Sequence, residues 1–216
     1  MMQMDIALPV QRGERFEHLA DVALSGESIS HDDAAMILTT PEDELPALLG
    51  AAFRVRHHYH GTRVKVCQLR NARSGLCPED CHYCSQSAVS EAEIERYRLD
   101  SVKELLDGAH RAVEAGARRY CMVTSGRGPS EIDIARFSDA ARRIKAEYPD
   151  IELCVSLGLL SEQDAFTLKD AGIGWVNHNL NTSQRYHESI CTTHTYEDRV
   201  RTVQNVQRAG LNTCSG

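Results

Sequence analysis

The chain has no run of about eighteen apolar residues, so no segment is long and oily enough to cross a membrane as a helix. Its opening stretch, Met1 to Pro9, lacks a basic segment followed by an apolar one, so a secretory leader is not expected. Positive charge is also short: 24 Lys and Arg against 31 Asp and Glu leave a net −7. That balance argues against a nucleic-acid surface. A cytoplasmic protein is expected, and in that compartment its eight cysteines are metal ligands or core residues rather than a disulfide framework. With 216 residues the chain is long enough to bury a sizeable core.

Three of the cysteines fall in one short stretch, Cys77-Pro78-Glu79-Asp80-Cys81-His82-Tyr83-Cys84. Spacers this short keep three sulfurs close enough to grip one inorganic centre. A structural zinc and most iron–sulfur clusters take four protein ligands. Three cysteines with no fourth partner nearby leave one metal corner open to something that is not protein. Zinc completed by His82 or by a distant cysteine is the alternative, because two- to four-residue gaps also suit zinc. His82 is a poor fourth ligand, since it stands between two of the others and would strain the loop.

From Gly13 to His60 the pattern is helical, with Ser30-His31-Asp32-Asp33 as one helix start and Thr40-Pro41-Glu42-Asp43 as another. His57, His58 and His60 beside Arg54, Arg56 and Arg63 read as the solvated, cationic end of a helix. Residues 1–60 are therefore expected to form an N-terminal helical cap. Over 61–216 a repeat sets in. Val64–Leu69, Arg119–Thr124, Ile151–Leu157, Ile173–Val176 and Leu211–Cys214 read as strands. Helices between them start at Ser101/Glu104, Ser130/Asp133, Ser161/Asp164 and Thr195/Asp198, each a Ser/Thr-x-x-acid box. Three end on Ala-Gly, at Gly116, Gly172 and Gly210. The alternation argues for parallel βα units, about five of them, in an incomplete TIM-type (β/α)8 barrel.

Cys121, Cys154 and Cys214 lie in predicted strands at similar depth, so their sulfurs can converge inside a barrel. Burial of cysteine as an ordinary core residue is the competing reading. In Trp175–Ser183, Asn177, Asn179 and Asn181 occupy every second position, one face of an extended segment. Their amides suit ribose hydroxyls or a ureido ring.

Asn71-Ala72-Arg73-Ser74-Gly75-Leu76, the cysteine loop and Gln86-Ser87 together resemble the radical S-adenosylmethionine (SAM) enzymes, and among them the biotin synthases. The resemblance runs from the helical cap to the last residue. It implies a [4Fe–4S] cluster on Cys77, Cys81 and Cys84, its open iron chelated by SAM. It further implies a [2Fe–2S] cluster on Cys121, Cys154 and Cys214, with an arginine beyond this chain as fourth ligand. Tyr83 matches an aromatic residue near adenine, and Arg199 the arginine at the SAM carboxylate, where the ordinary reading is a surface salt bridge. Ser125-Gly126-Arg127-Gly128 matches a segment near the methionine end of SAM. Asn177, Asn179 and Asn181 match a segment touching SAM and dethiobiotin, with Asn181 standing where some relatives carry aspartate. Cys67 and Cys191 read as structural. The implied reaction is sulfur insertion into dethiobiotin to make biotin, with a flavodoxin- or ferredoxin-type electron donor and a homodimer. Five strands against eight lead to the expectation that the chain is the N-terminal part of a longer protein, the final third absent, and that alone it makes no biotin. Another radical SAM enzyme on the same scaffold is the rival within the class.

Overall fold

The computed structural model describes residues 9–216, with side chains from residue 13 onward. The chain parts into two compact units between Val64 and Lys65. The first is helical: α1 (Pro9–Leu24), α2 (His31–Leu38) and α3 (Leu45–His60). Phe16 and Ala20 of α1 pack with Ala51 of α3 in a small core, against Met36, Leu48 and Val55. Ser30 caps α2 by accepting from the Asp33 N–H at 3.1 Å. The start expected at Pro41 is only a 3₁₀ turn, Glu42–Glu44, with Pro41 before it. Pro46 has no N–H to donate to the Glu42 carbonyl, which takes the Leu45 N–H instead, and the α-helix begins afresh at Leu45.

The second unit is a parallel sheet of five strands in sequential order: β1 (Cys67–Arg73), β2 (Arg119–Thr124), β3 (Glu152–Ser156), β4 (Trp175–Asn177) and β5 (Asn212–Cys214). Helices α4 (Val102–Glu114), α5 (Glu131–Glu147), α6 (Glu162–Asp170) and α7 (Tyr196–Arg208) connect successive strands, giving part of a TIM-type (β/α) barrel. All four capping boxes form, at Ser101, Ser130, Ser161 and Thr195. In the three Ala-Gly endings the residue after glycine sends its N–H back to the last turn: Ala117 to Ala112, Ile173 to Leu168, Leu211 to Val206, at 2.9–3.1 Å. Gly116, Gly172 and Gly210 have φ of +71°, +98° and +68°, which glycine alone adopts freely. Each helix is thus stopped and turned into its strand within two residues.

Strand alternation sorts the side chains. Tyr120, Met122, Leu153, Val155 and Val176 point toward the helices and join Leu105, Phe137, Ile144, Leu168 and Val206 in the main core. Cys121, Cys154, Asn177 and Cys214 occupy the other parity. The first strand departs from expectation: it runs Cys67–Arg73 rather than Val64–Leu69. Val64 and Val66 are exposed, whereas the polar Arg70 and Arg73 are held in the strand by Asp100 and Asp133, at 2.7 and 3.0 Å.

Candidate functional site

Immediately after β1 the backbone turns sharply. Ser74 and Tyr97 exchange backbone hydrogen bonds of 3.1 and 3.2 Å. Gly75 and Leu76 then take left-handed conformations, φ +66° and +57°. For Leu76 that region is uncommon. The Gly75 N–H donates to Gln86 Oε1 at 2.8 Å, and Ser125 Oγ donates to the Gly75 carbonyl at 2.6 Å. Within the loop, Cys84 N–H reaches the Cys81 carbonyl at 3.1 Å and Ala88 N–H the Glu79 carbonyl at 2.8 Å. Gln86 therefore closes the cysteine loop onto its own entry point.

Cys77, Cys81 and Cys84 line one cavity of about 240 Å³ together with Tyr83, Ser125, Gly126, Arg127, Asn177, Asn179, Asn181 and Arg199. It lies beyond the C-terminal ends of the strands, where barrel enzymes place their chemistry. Arg199, in the first turn of α7, is buried; its Nη1 donates to the Asn179 carbonyl and its Nη2 to Tyr83 Oη, both at 2.9 Å. Its Nε is buried and unpartnered. Among the described residues no carboxylate lies within ion-pair distance of this guanidinium, so the surface salt bridge weighed for it is not what it makes. Tyr83 Oη also accepts from Asn181 Nδ2 at 2.6 Å. Burial pushes the Tyr83 phenol well above its usual range, with the Arg199 charge opposing.

The three asparagines reach the cavity by different routes. β4 ends at Asn177, so strand alternation does not extend to Asn181 as expected. Asn181 instead has φ +68°, a left-handed turn that asparagine tolerates. Asn179 Oδ1 accepts from the Gly216 N–H at 3.1 Å. Glycine is required here by contact between loops. A Cβ on Gly158 would stand 2.4 Å from the Arg127 carbonyl oxygen, and one on Gly128 2.7 Å from that of Leu159.

A second segment clasps the cysteine loop from the far end of the unit. Thr192 N–H donates to Asp80 Oδ1 at 2.9 Å, Thr193 N–H to the same oxygen at 3.3 Å, and His82 N–H to the Ile190 carbonyl at 3.0 Å. The Thr192 side-chain and backbone hydrogen bonds hold the Asp80 carboxyl far below the usual carboxylate range. Burial works against the Glu79 carboxylate, but hydrogen bonds from His194 and Thr193 outweigh it and lower its pKa. Cys191 Sγ sits 3.6 Å from Cys81 Sγ and 3.4 Å from His194 Nδ1. Burial first, then the neighbouring Cys191, push the Cys81 thiol up to about 12.

The strand cysteines lie deeper. Cys121 and Cys154 are paired in register and both buried. A hydrogen bond from the Cys121 thiol to Cys154, together with burial, pushes Cys121 far up, and accepting it lowers Cys154. Cys214 is paired with Asn177, while Cys154 is paired with Trp175, so Cys214 stands one pleat further along the sheet. The Cys67 thiol is raised by burial and by Cys154 and Cys214, which places it in the same region. Arg119 lies over the Trp175 ring, 3.7 Å from its centre, and pairs with Glu152 at 2.7 Å.

Sequence reasoning gave no role to Glu79, Asp80, His178 and His194, and read Cys191 as structural. His178 is buried and lines the cavity, its Nε2 without a partner. Burial, then the Arg199 charge, lower its pKa to about 4, so it is neutral near pH 7. The position between two counted asparagines hid it, since alternation assigns it to the opposite face. The polar run Thr192-Thr193-His194-Thr195 was the available signal for the clasp.

Residues 73–216 match the radical SAM superfamily, and the chain belongs to it. Proteins named biotin synthase resemble it more closely still. That of Lysinibacillus sphaericus is 50% identical over 198 residues, covering 92% of this chain and 59% of that protein. Those of Bacillus subtilis strain 168 and Rhodopirellula baltica are 48% and 45% identical, covering 92% and 93% of this chain and 59% and 56% of theirs. The chain thus spans about three-fifths of the length of these relatives. In fold it is similar to methylornithine synthase (PylB), with a TM-score of 0.79 at 22% identity over 92% of this chain and 58% of that one. The hydrogenase maturase HydG gives 0.76 at 18% identity over 98% of this chain and 47% of that one.

Membership of the superfamily implies a [4Fe–4S] cluster and SAM. The residues fit both: three thiols open on one cavity, beside a buried guanidinium whose Nε lacks a partner. Among the described residues no helix is long and apolar enough to cross a membrane.

Proposed function

We propose that this chain carries the SAM-cleaving half of a biotin synthase, a radical SAM sulfurtransferase converting dethiobiotin to biotin. The observation that carries the reading is a single cavity that unites Cys77, Cys81 and Cys84 with the unpaired Arg199 cation. Identity of 45–50% to proteins named biotin synthase narrows the class. When bound, a [4Fe–4S] cluster and SAM supply the electron and radical chemistry, and a [2Fe–2S] cluster supplies sulfur.

The chain's residues have defined tasks in this reading. Cys77, Cys81 and Cys84 hold the first cluster, and Cys121, Cys154 and Cys214 the second. Arg199 faces the SAM carboxylate with its remaining donor capacity, and Tyr83 flanks the adenine. Asn177, Asn179 and Asn181 present amides to ribose and to the ureido ring of dethiobiotin. Neutral His178 offers one more hydrogen bond without adding charge. Hydrogen-atom abstraction requires no general base, and none is assigned. A flavodoxin- or ferredoxin-type donor, a homodimer and a cytoplasmic setting complete the proposal.

Anaerobic reconstitution with iron-57 and sulfide, followed by Mössbauer spectra with and without SAM, tests it. Two cluster types, one perturbed by SAM, are expected, and biotin formed from dethiobiotin by the protein at its relatives' full length. A different radical SAM reaction is the second reading, favoured by the one-pleat offset of Cys214 from Cys121 and Cys154. One [4Fe–4S] signal with no second cluster would select it.

A further inference from the structure

We propose that Cys67 is the fourth protein ligand of the second cluster, so that cysteines of β1, β2, β3 and β5 hold it without the arginine that the resemblance implies. The inference rests on the two-cluster reading above and supplies a ligand from within this chain. Strand register carries it. Cys67 pairs with Arg119 and Leu69 with Cys121, which pairs in turn with Cys154, so Cys67 stands two residues short of the level of those two thiols. Cys214 stands two residues beyond that level, because Cys154 pairs with Trp175, Trp175 with Asn212 and Asn177 with Cys214. From β1 through β3 to β5 the thiols therefore climb by two residues at every second strand. Such a slant is the stagger of a TIM-type barrel, in which alternate strands supply the side chains of one interior layer. Cys67, Cys154 and Cys214 are three members of a layer of this kind. Cys121, on the strand between the first two, shares their parity and stands beside them in the adjacent layer. Without Cys67 the offset of Cys214 breaks the set; with Cys67 it is regular.

The surroundings agree with the register. Burial first, then Cys154 and, after the opposing Arg119 charge, Cys214 act on the Cys67 thiol, although β1 and β5 are the two edges of the sheet. Cys121 in turn feels Cys67. The sheet is thus curved enough to bring its edges within electrostatic reach of each other. Cys67 is in no disulfide and is exposed, as Cys214 is, while Cys121 and Cys154 between them are buried. One open thiol at each rim and two at the base form a bowl that a two-iron centre can enter, and such a centre spreads its terminal sulfurs wider than a single ion does. Four thiolates leave an oxidised [2Fe–2S] centre net negative. Arg119 supplies counter-charge: it is the register partner of Cys67, lies over the Trp175 ring, and acts on Cys67, Cys121 and Cys154 alike. Ligation by Cys67 releases one thiol proton to solvent and moves no electron, so no oxidant is needed.

The test is anaerobic alkylation of the protein at its relatives' full length, iron-loaded and iron-free, with iodoacetamide and mapping of each cysteine by mass spectrometry. Cys214, exposed like Cys67, reports whether a second cluster is present; Cys67 reports whether it is a ligand. Both should label on the order of tenfold more slowly in the loaded protein. Protection of Cys214 with Cys67 labelled at its iron-free rate overturns the inference and leaves the two-cluster reading standing. Protection of Cys77, Cys81 and Cys84 alone removes that reading, and the inference with it. Shielding without ligation is separated by substitution. Cys67→Ser, an oxygen ligand in place of sulfur, should keep the second cluster with its visible bands moved to shorter wavelength. Cys67→Ala should lose that cluster to a chelator on the order of tenfold faster, with the [4Fe–4S] Mössbauer signal unchanged and circular dichroism showing the fold intact. Bands of Cys67→Ser identical to wild type, or coupling to an arginine nitrogen in the pulsed EPR spectrum of the reduced second cluster, overturn the inference.

Discussion

His178 makes the stability of this chain fall in mild acid. Its pKa is lowered from 6.5 to about 4 by burial first and the nearby Arg199 charge second, with a hydrogen bond to the Gly158 backbone opposing. In the unfolded chain it titrates near 6.5, so between pH 6.5 and 4 the unfolded state binds the extra proton. Stability therefore holds above pH 6.5, declines as pH falls through this window, and levels once the folded form is protonated too. A shift of about 2.5 units corresponds to roughly 3 kcal/mol at 1.36 kcal/mol per unit. With a urea m-value of about 2–3 kcal/mol/M, the midpoint should drop by on the order of 1 M across the window. His187, also lowered by burial, titrates in the same sense, so the informative quantity is the difference between wild type and His178→Gln. Urea titrations of both at half-unit steps of pH measure it. Parallel profiles for the two proteins, or a His178 ring resonance titrating near 6.5 in the folded state, would refute the reasoning.

Four further outcomes follow from the packing and the site. A Cβ on Gly108 would lie 2.3 Å from Tyr120 Oη inside the core, so Gly108→Ala should destabilise by about 1–3 kcal/mol through overpacking. Removing that hydroxyl with Tyr120→Phe should recover most of the loss, and a double-mutant cycle showing simple additivity would contradict this. Asp80→Asn removes the charge that accepts from the Thr192 and Thr193 N–H groups, at 2.9 and 3.3 Å. Faster hydrogen exchange at these two amides, with the α4 and α5 amides unchanged, is the expected result. Arg199→Met should weaken SAM binding to the reconstituted protein at least tenfold by calorimetry, since it removes the one buried guanidinium of the cavity. By the same logic, alanine at Cys77, Cys81 or Cys84 should abolish SAM cleavage, measured as 5′-deoxyadenosine released.

The parts of the fold written in local chemistry were legible in the sequence. Four capping boxes and three Ala-Gly stops lie within a few residues of the groups they satisfy, and all of them form. The start of β1 was misplaced because Val64 and Val66 imitate a strand while Arg70, Asn71 and Arg73 do not. The two arginines find Asp100 and Asp133, 30 and 60 residues away, and the Asn71 backbone carbonyl accepts from Tyr97, 26 residues away. The same limit applies to the site. Three cysteines in eight residues announce themselves, but Cys191 and His194 acquire meaning only once the chain returns to Cys81. Asn181 faced the cavity for a reason that alternation did not supply, a left-handed turn.

The long reach of the Asp80–Thr192 clasp sets an order of events. Closing a loop of about 110 residues costs only slightly more entropy than closing one half as long, but it cannot happen before the distant end exists. On a ribosome the cysteine loop emerges early and must wait for three helices and three strands to follow before its second fastening arrives. Fastening of the cysteine loop is then a late step in the life of the polypeptide, gated by synthesis itself.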